Sequence, residues 1–189
     1  MKKLAILMVL AMEIAVGGCG SGKTTSNVVN TSTTGNWEAQ FTVQSGTFSQ
    51  ASLLDFVTTF SVTNNGPLDI SALSFFNDGS CFSTTKNANG VGGNASFTTN
   101  TATGQVTGNL NLTVTSNTTG SVLSLMSLPD GLTGTSNGTT TTTGTLTNGT
   151  VVGTFTLTPG ASASSCTGTG TFIMCQDPNS QGVCVAPAQ

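Results

Sequence analysis

Apolar and polar residues alternate along much of this chain, which is the pattern of β-strands that bury one face. In residues 37–43 the odd positions Trp37, Ala39, Phe41 and Val43 are apolar, and polar residues separate most of them. The same period of two runs through residues 54–62, 106–114 and 151–157. Threonine occupies many of the polar positions, and its β-branched side chain suits a pleated surface. The pattern therefore predicts several half-buried strands.

Turn-forming pairs lie between these runs. Asn-Gly occurs at residues 65–66, 89–90, 137–138 and 148–149, and this pair readily adopts the positive φ angles of tight turns. The last pair separates residues 143–147 from residues 150–158, and there it predicts a hairpin. Residues 67–76 are the one region whose spacing allows a helical turn.

Together these signals predict an all-β domain over residues 36–189, built as an antiparallel meander of about eight to ten strands. Strands with one apolar face must bury it by closing into a barrel or by pairing two sheets. Short connections favour the β-barrel, with a β-sandwich as the alternative.

The first eighteen residues have the organisation of a secretory signal peptide. Lys2 and Lys3 precede an apolar run of 13 residues, and small residues follow it. A run of this length is too short to remain as a membrane-spanning helix. Residues 16–19, Val-Gly-Gly-Cys, resemble a bacterial lipobox.

The lipobox resemblance implies that Cys19 becomes the lipid-bearing first residue of the mature chain. Gly20 stands where an aspartate is linked with inner-membrane retention, so the resemblance implies the outer membrane. A simple secretory signal, giving a secreted or periplasmic protein, is the alternative. Residues 19–35 lack periodicity and are predicted to form a flexible tether.

The same region also satisfies the phosphate-binding pattern G-x-x-x-x-G-K-[ST], with Gly17, Gly22, Lys23 and Thr24. That chemistry requires a strand before the motif and a helix after it. The residues that follow Thr24 are mostly Ser, Asn, Thr and Val, which disfavour a helix. We therefore expect no nucleotide binding.

Charge excludes further classes of partner. The chain has four lysine or arginine residues, seven acidic residues and no histidine, for a formal charge of −3. After residue 18 it keeps two lysines and six acidic residues, a formal charge of −4. Such a chain lacks the basic surface that binds nucleic acid or anionic lipid headgroups.

Cysteine usage agrees with export. Besides Cys19 there are four cysteines, which allow three pairings, and we favour Cys175–Cys184 together with Cys81–Cys166. Without histidine, and with these spacings, a zinc site is not expected. No cofactor is predicted.

Catalysis has one alternative basis in the sequence. Asp55, Asp69, Asp78 and Asp130 could supply a pair of carboxylates for a hydrolase. Their spacing does not place them together, and Asp78-Gly79 and Asp130-Gly131 also fit turns. Lys86, the nearest substitute for a histidine base, lies in a loop-like stretch.

The part after the signal resembles small Ser/Thr/Gly-rich β lipoproteins of uncharacterised function in Gram-negative bacteria. The resemblance rests on the lipobox, on Gly-Asn-Trp at residues 35–37, and on Thr/Gly-rich strands that end in cysteines. It implies no activity. We expect a lipid-anchored cell-envelope β domain with a binding or structural role, with an envelope hydrolase as the alternative. Its ligand would be a small apolar molecule inside a barrel, or a glycan or envelope protein outside.

Overall fold

The computed structural model describes residues 31–85, 87–139, 142–176 and 184. These residues form an antiparallel β-sheet of ten strands and one short 3-10 helix, Ala51–Leu53, so the all-β prediction is confirmed. The strands are β1 (Thr31–Thr33), β2 (Asn36–Gly46), β3 (Phe56–Thr63), β4 (Asn65–Pro67), β5 (Asp69–Phe75), β6 (Asn89–Thr99), β7 (Gln105–Ser116), β8 (Val122–Ser136), β9 (Gly144–Thr158) and β10 (Gly168–Gln176).

The predicted alternation is realised in the burial of the strands. Along β7, Val106, Leu110, Leu112 and Val114 are buried, while every second residue from Thr107 to Thr115 is exposed or half-buried. Strands β2, β3 and β9 bury their apolar residues in the same way. The alternation of apolar and polar residues thus predicted correctly which face of these four strands is buried.

The strands follow the order β1-β3-β2-β10-β9-β8-β7-β6-β4, and β5 pairs with β3. β2 and β5 pair with overlapping parts of β3, so they lie on its opposite edges. All pairings are antiparallel except the one between β1 and β9. Five successive hairpin neighbours, β6 to β10, form the meander that the sequence predicted.

At one end, β1 pairs with two strands that do not pair with each other. Ser32 of β1 lies opposite Thr63 of β3 and opposite Thr145 of β9. From β9 the pairings continue through β8, β7 and β6 to β4. Asn64 alone separates β4 from β3. At this end, β1 therefore bridges β3 and β9.

The predicted tether extends too far into the domain. Thr31 and Thr33 are buried within β1, although residues 19–35 showed no apolar periodicity. Hydrogen bonds hold Thr31 instead, because its hydroxyl lies 2.7 Å from that of Thr99 and 3.0 Å from that of Ser136. The ordered domain thus includes residue 31, and residues 19–30 lie outside the described residues.

Aromatic side chains fill the interior. Phe41 contacts Phe56, Phe155 and Phe172 at centroid distances of 5.2 to 6.3 Å. The chain of rings continues to Phe75 and Phe82, and Trp37 stacks on Phe60 at 5.2 Å. All these rings are buried, so the ring clusters occupy the space between the strands.

The hairpin predicted at residues 148–149 is wrong. β9 runs without interruption through both residues, and its register against β8 shifts beside them, between Thr133 and Thr135. Asn148 has a φ of 53° inside the strand, so its left-handed conformation forms a bulge and not a turn. A Cβ on Gly149 would lie 2.5 Å from the Trp37 ring, so the glycine makes room for that ring.

Three other local predictions also change. Residues 65–66 lie in β4 and residues 89–90 begin β6, whereas residues 137–138 do lie in a connection between strands. The possible helical turn over residues 67–76 is strand β5 instead. Pairing with β3 supplies the hydrogen bonds that a short helix would have made internally.

Candidate functional site

An open groove lies between β5 and β6. Each of these strands pairs with another strand, but no pairing joins β5 to β6 over the residues of either strand, all of which the structure describes. β6 pairs with β7 along its length, but β4 covers only its residues 94–96, and Leu68 donates to the carbonyl oxygen of Gly93 at 2.9 Å. The remaining edge, residues 89–92, faces the free edge of β5 across a groove of about 430 Å³.

The floor of this β5–β6 groove is apolar. Ile70 and Leu73 of β5 and Val91 of β6 line it. All three pack against the core but stay only half-buried. By contrast, Val106 and Leu110 of the fully paired β7 are completely buried. The difference arises because no strand covers the groove.

The rim carries hydroxyl and amide groups, from Ser71, Ser74, Thr84, Asn87 and Asn89. The side-chain amide of Asn89 donates to the carbonyl oxygen of Ser83 at 2.8 Å, which fixes its orientation. Its Oδ1 is then buried without a hydrogen-bond donor. A buried acceptor of this kind costs stability unless a ligand or water supplies a donor.

Asp78 holds the Thr84 side of the rim in place. Its Oδ1 accepts hydrogen bonds from the Thr84 backbone N–H at 2.6 Å, the Thr84 hydroxyl at 2.9 Å and the Ser83 hydroxyl at 2.9 Å. These bonds to Thr84 and Ser83 lower the pKa of Asp78. The carboxylate therefore stays ionised and orders the loop beside the groove.

A second cluster contains two acidic residues, Glu38 and Asp55. Asp55 Oδ1 accepts the Phe41 backbone N–H at 3.1 Å, and Gln40 donates to Glu38 at 2.8 Å. Burial raises the pKa of Asp55 to about 6; the hydrogen bond from Phe41 opposes the increase and the charge of Glu38 adds to it. This is the arrangement closest to an acid–base pair in the described residues.

The sequence did not identify Glu38 as a site residue. It occupies a polar position of the alternating strand β2, where a solvent-exposed side chain is the ordinary expectation. Glu38 is nevertheless buried, opposite Cys175 of β10. Cys184 Sγ lies 3.3 Å from its carbonyl oxygen, so the disulfide covers this part of β2. A contact made by a residue so distant in sequence left no local signal.

The four predicted aspartates have separate environments. Asp69 lies opposite Ser61, at the end of β5 farthest from Asp55. Asp78 bonds to its own loop, as described above. Asp130 has a φ of 55° and its backbone N–H donates to Asn109 at 3.1 Å, within the irregular part of β8. A neighbouring carboxylate, that of Glu38, contributes to the raised pKa of Asp55.

The outer face of the paired strands carries a regular array of hydroxyl groups. Thr42, Thr171 and Thr154 lie side by side on β2, β10 and β9. A groove of about 390 Å³ beside them is lined in part by Gln40, Leu128 and Ile173. Leu128 is 50% exposed. The backbone groups beneath this face already pair within the sheet, which leaves only side chains for a ligand.

Both favoured disulfides are present. Cys81 joins Cys166, and Cys175 joins Cys184, at sequence separations of 85 and 9. The first links the connection after β5 to the segment before β10, and both of its cysteines are buried. Disulfides of this kind are typical of oxidising compartments outside the cytosol.

Several predicted features lie outside the described residues: Cys19, the stretch 17–24 and Lys86. Among the residues that are described, no group of three or more His, Cys, Asp or Glu side chains could hold a metal ion. In the same part of the chain, no helix has the length and hydropathy needed to cross a membrane.

No protein-family model, curated protein or solved structure matches this chain.

Proposed function

We propose that this protein is a lipid-anchored β domain of the cell envelope that binds another envelope component and performs no chemistry of its own. Cys19 would carry the lipid, in the outer membrane. The signal-like residues 1–18 support export, as do the two disulfides. The domain itself would be a β-barrel, which the pairing of β1 with both β3 and β9 supports.

The β5–β6 groove is the observation that carries the binding role, and the aromatic interior argues against a ligand inside the sheet. Phe41, Phe56, Phe155 and Phe172 meet between the strands, so this region is occupied by the protein's own side chains. A ligand would therefore bind on the outside. The β5–β6 groove supports this most strongly, because it combines a half-exposed apolar floor with polar groups on the rim.

Fractionation of cells tests the anchor. Wild-type protein should partition with the outer membrane, and Cys19→Ser should be released or remain unprocessed, because stable anchoring requires acyl chains. Ser21→Ala is the matched control, since it alters a neighbouring residue and leaves the cysteine in place. Equal retention of Cys19→Ser and Ser21→Ala in the outer-membrane fraction, both at the processed size, would contradict the proposed anchor.

An envelope hydrolase is the second candidate, and the Glu38–Asp55 cluster is the observation that favours it. A carboxyl with a pKa of about 6 suits general acid–base catalysis. The hydrogen bond that Asp55 accepts from Phe41 also has a purely structural explanation, since it holds the end of the connection between β2 and β3 against β2. Turnover of a glycan or ester substrate that is lost in Asp55→Asn, with the fold intact, would favour the hydrolase over a binding domain.

A further inference from the structure

We propose that the β5–β6 groove binds an extended segment of another protein, which adds to the sheet as a strand along β5. This inference rests on the proposed binding role and names its partner class. The partner segment would be neutral or basic, with apolar side chains at alternate positions.

Both walls of the groove have an unpaired backbone edge. β5 pairs with β3 on one edge only, and residues 89–92 of β6 pair with β7 on one edge only. An unpaired edge presents N–H and C=O groups at strand spacing, and a polypeptide strand is the ligand that satisfies them in sequence. Residues 70–74, which line the groove, would pair with about five residues, roughly 17 Å of extended chain.

The side chains on the floor of the groove also suit an extended segment. A strand places alternate side chains on one face, and the floor offers Ile70, Leu73 and Val91 to receive them. These half-buried residues belong to the interior face of the sheet, so an added strand would complete their burial.

Charge near the groove favours a partner segment without acidic side chains. Asp69 and Asp78 lie beside the groove, and Lys86 stands in sequence between the rim residues Thr84 and Asn87. Asp69 lies at one end of β5, and Asp78 bonds to Thr84 on the rim. With two carboxylates and one lysine nearby, the groove does not favour an acidic segment.

The edge of β5 also lacks most of the features that protect free edges. It contains neither lysine nor proline, and its one interruption is the register shift beside Ser71. Natural proteins normally block a long edge with such residues or cover it. A glycan is a weaker fit, because the lining of the groove contains no aromatic ring on which a sugar could stack.

A defined peptide tests the proposal. The probe is an acetylated, amidated octapeptide, Lys-Thr-Val-Thr-Val-Thr-Val-Lys, titrated into the full chain purified in detergent and labelled with ¹⁵N. We expect saturable amide shifts concentrated in β5 and in residues 89–92. The same peptide N-methylated at alternate residues should bind at least tenfold more weakly, because it cannot donate along one edge.

Two variants separate the groove from the outer face. Val91→Phe fills the floor of the groove and should weaken binding at least tenfold. Thr113→Phe is the matched control, since it adds the same ring to an exposed position of β7, and it should leave binding unchanged. Thermal unfolding of both variants shows whether the fold is retained, and Ser74→Arg on the exposed rim gives a second block if Val91→Phe unfolds.

Four results would overturn the proposal: no saturable shifts at millimolar peptide, equal binding of the N-methylated peptide, shifts centred on the outer threonines, or concentration-dependent dimerisation through β5 that the peptide cannot displace. The last would make a second copy the occupant. Because the titration does not depend on a lipid at Cys19, its failure leaves the anchor untouched. Conversely, loss of the anchor leaves this binding test valid.

Discussion

Removing the Cys81–Cys166 disulfide should cost far more stability than removing Cys175–Cys184. The first bond closes a loop of 85 residues and the second a loop of 9. The loss of unfolded-chain entropy is worth about 4.6 kcal/mol for the long loop and about 2.6 kcal/mol for the short one. The difference of about 2 kcal/mol follows from loop length alone.

The two double variants, Cys81→Ala with Cys166→Ala and Cys175→Ala with Cys184→Ala, provide the comparison. Trp37 is the single tryptophan of the chain and is fully buried, so its fluorescence reports unfolding. In urea, with a slope of about 2 kcal/mol per molar, the midpoint of the first variant should lie about 1 M below that of the second. Equal midpoints, or the reverse order, would refute the entropic reasoning.

Three further predictions concern single residues. The free energy of unfolding should fall by about 1 kcal/mol, allowing for solvent screening, as the pH rises from 3.8 to about 6, because folded Asp55 keeps its proton over that range and the unfolded residue does not. Denaturation of Asp55→Asn at several pH values should lack this dependence on pH, and an unchanged dependence would exclude Asp55 as its source. Gly149→Ala should cost about 1–3 kcal/mol, because the new Cβ would meet the Trp37 ring; a neutral effect in urea unfolding would mean that the ring moves freely. Thr31→Val should lower the free energy of unfolding by about 1–3 kcal/mol, since it breaks two hydroxyl contacts. Thr33→Val should leave it unchanged, because the buried hydroxyl of Thr33 has no partner, and equal melting temperatures of the two variants would contradict this difference.

The strands with an unbroken period of two could be predicted from sequence, because burial of one face leaves its record in every second residue. β7 and β9 are the clearest cases. β1 could not be found in this way, since hydrogen bonds of Thr31 hold it rather than apolar contacts. Asn148 shows a second limit, because the positive φ that an Asn-Gly pair supplies fits a bulge as well as a turn.

The candidate site was less predictable than the fold. The sequence patterns did not predict β5 or β6 as strands, and alternation identifies a buried face, not an edge that lacks a neighbour. The β5–β6 groove therefore left no pattern beyond Ile70, Leu73 and Val91, which look like ordinary core residues. Glu38 was missed for a related reason: its burial depends on Cys175 and Cys184, which lie more than 130 residues away.

The intact mass of the protein isolated from cell envelopes tests the central proposal most directly. If the protein is lipid-anchored, its chain begins at Cys19 and carries the added mass of a diacylglyceryl group and an acyl chain, with two disulfides further along. A chain that begins at another residue, or an unmodified Cys19, would contradict the proposed anchor.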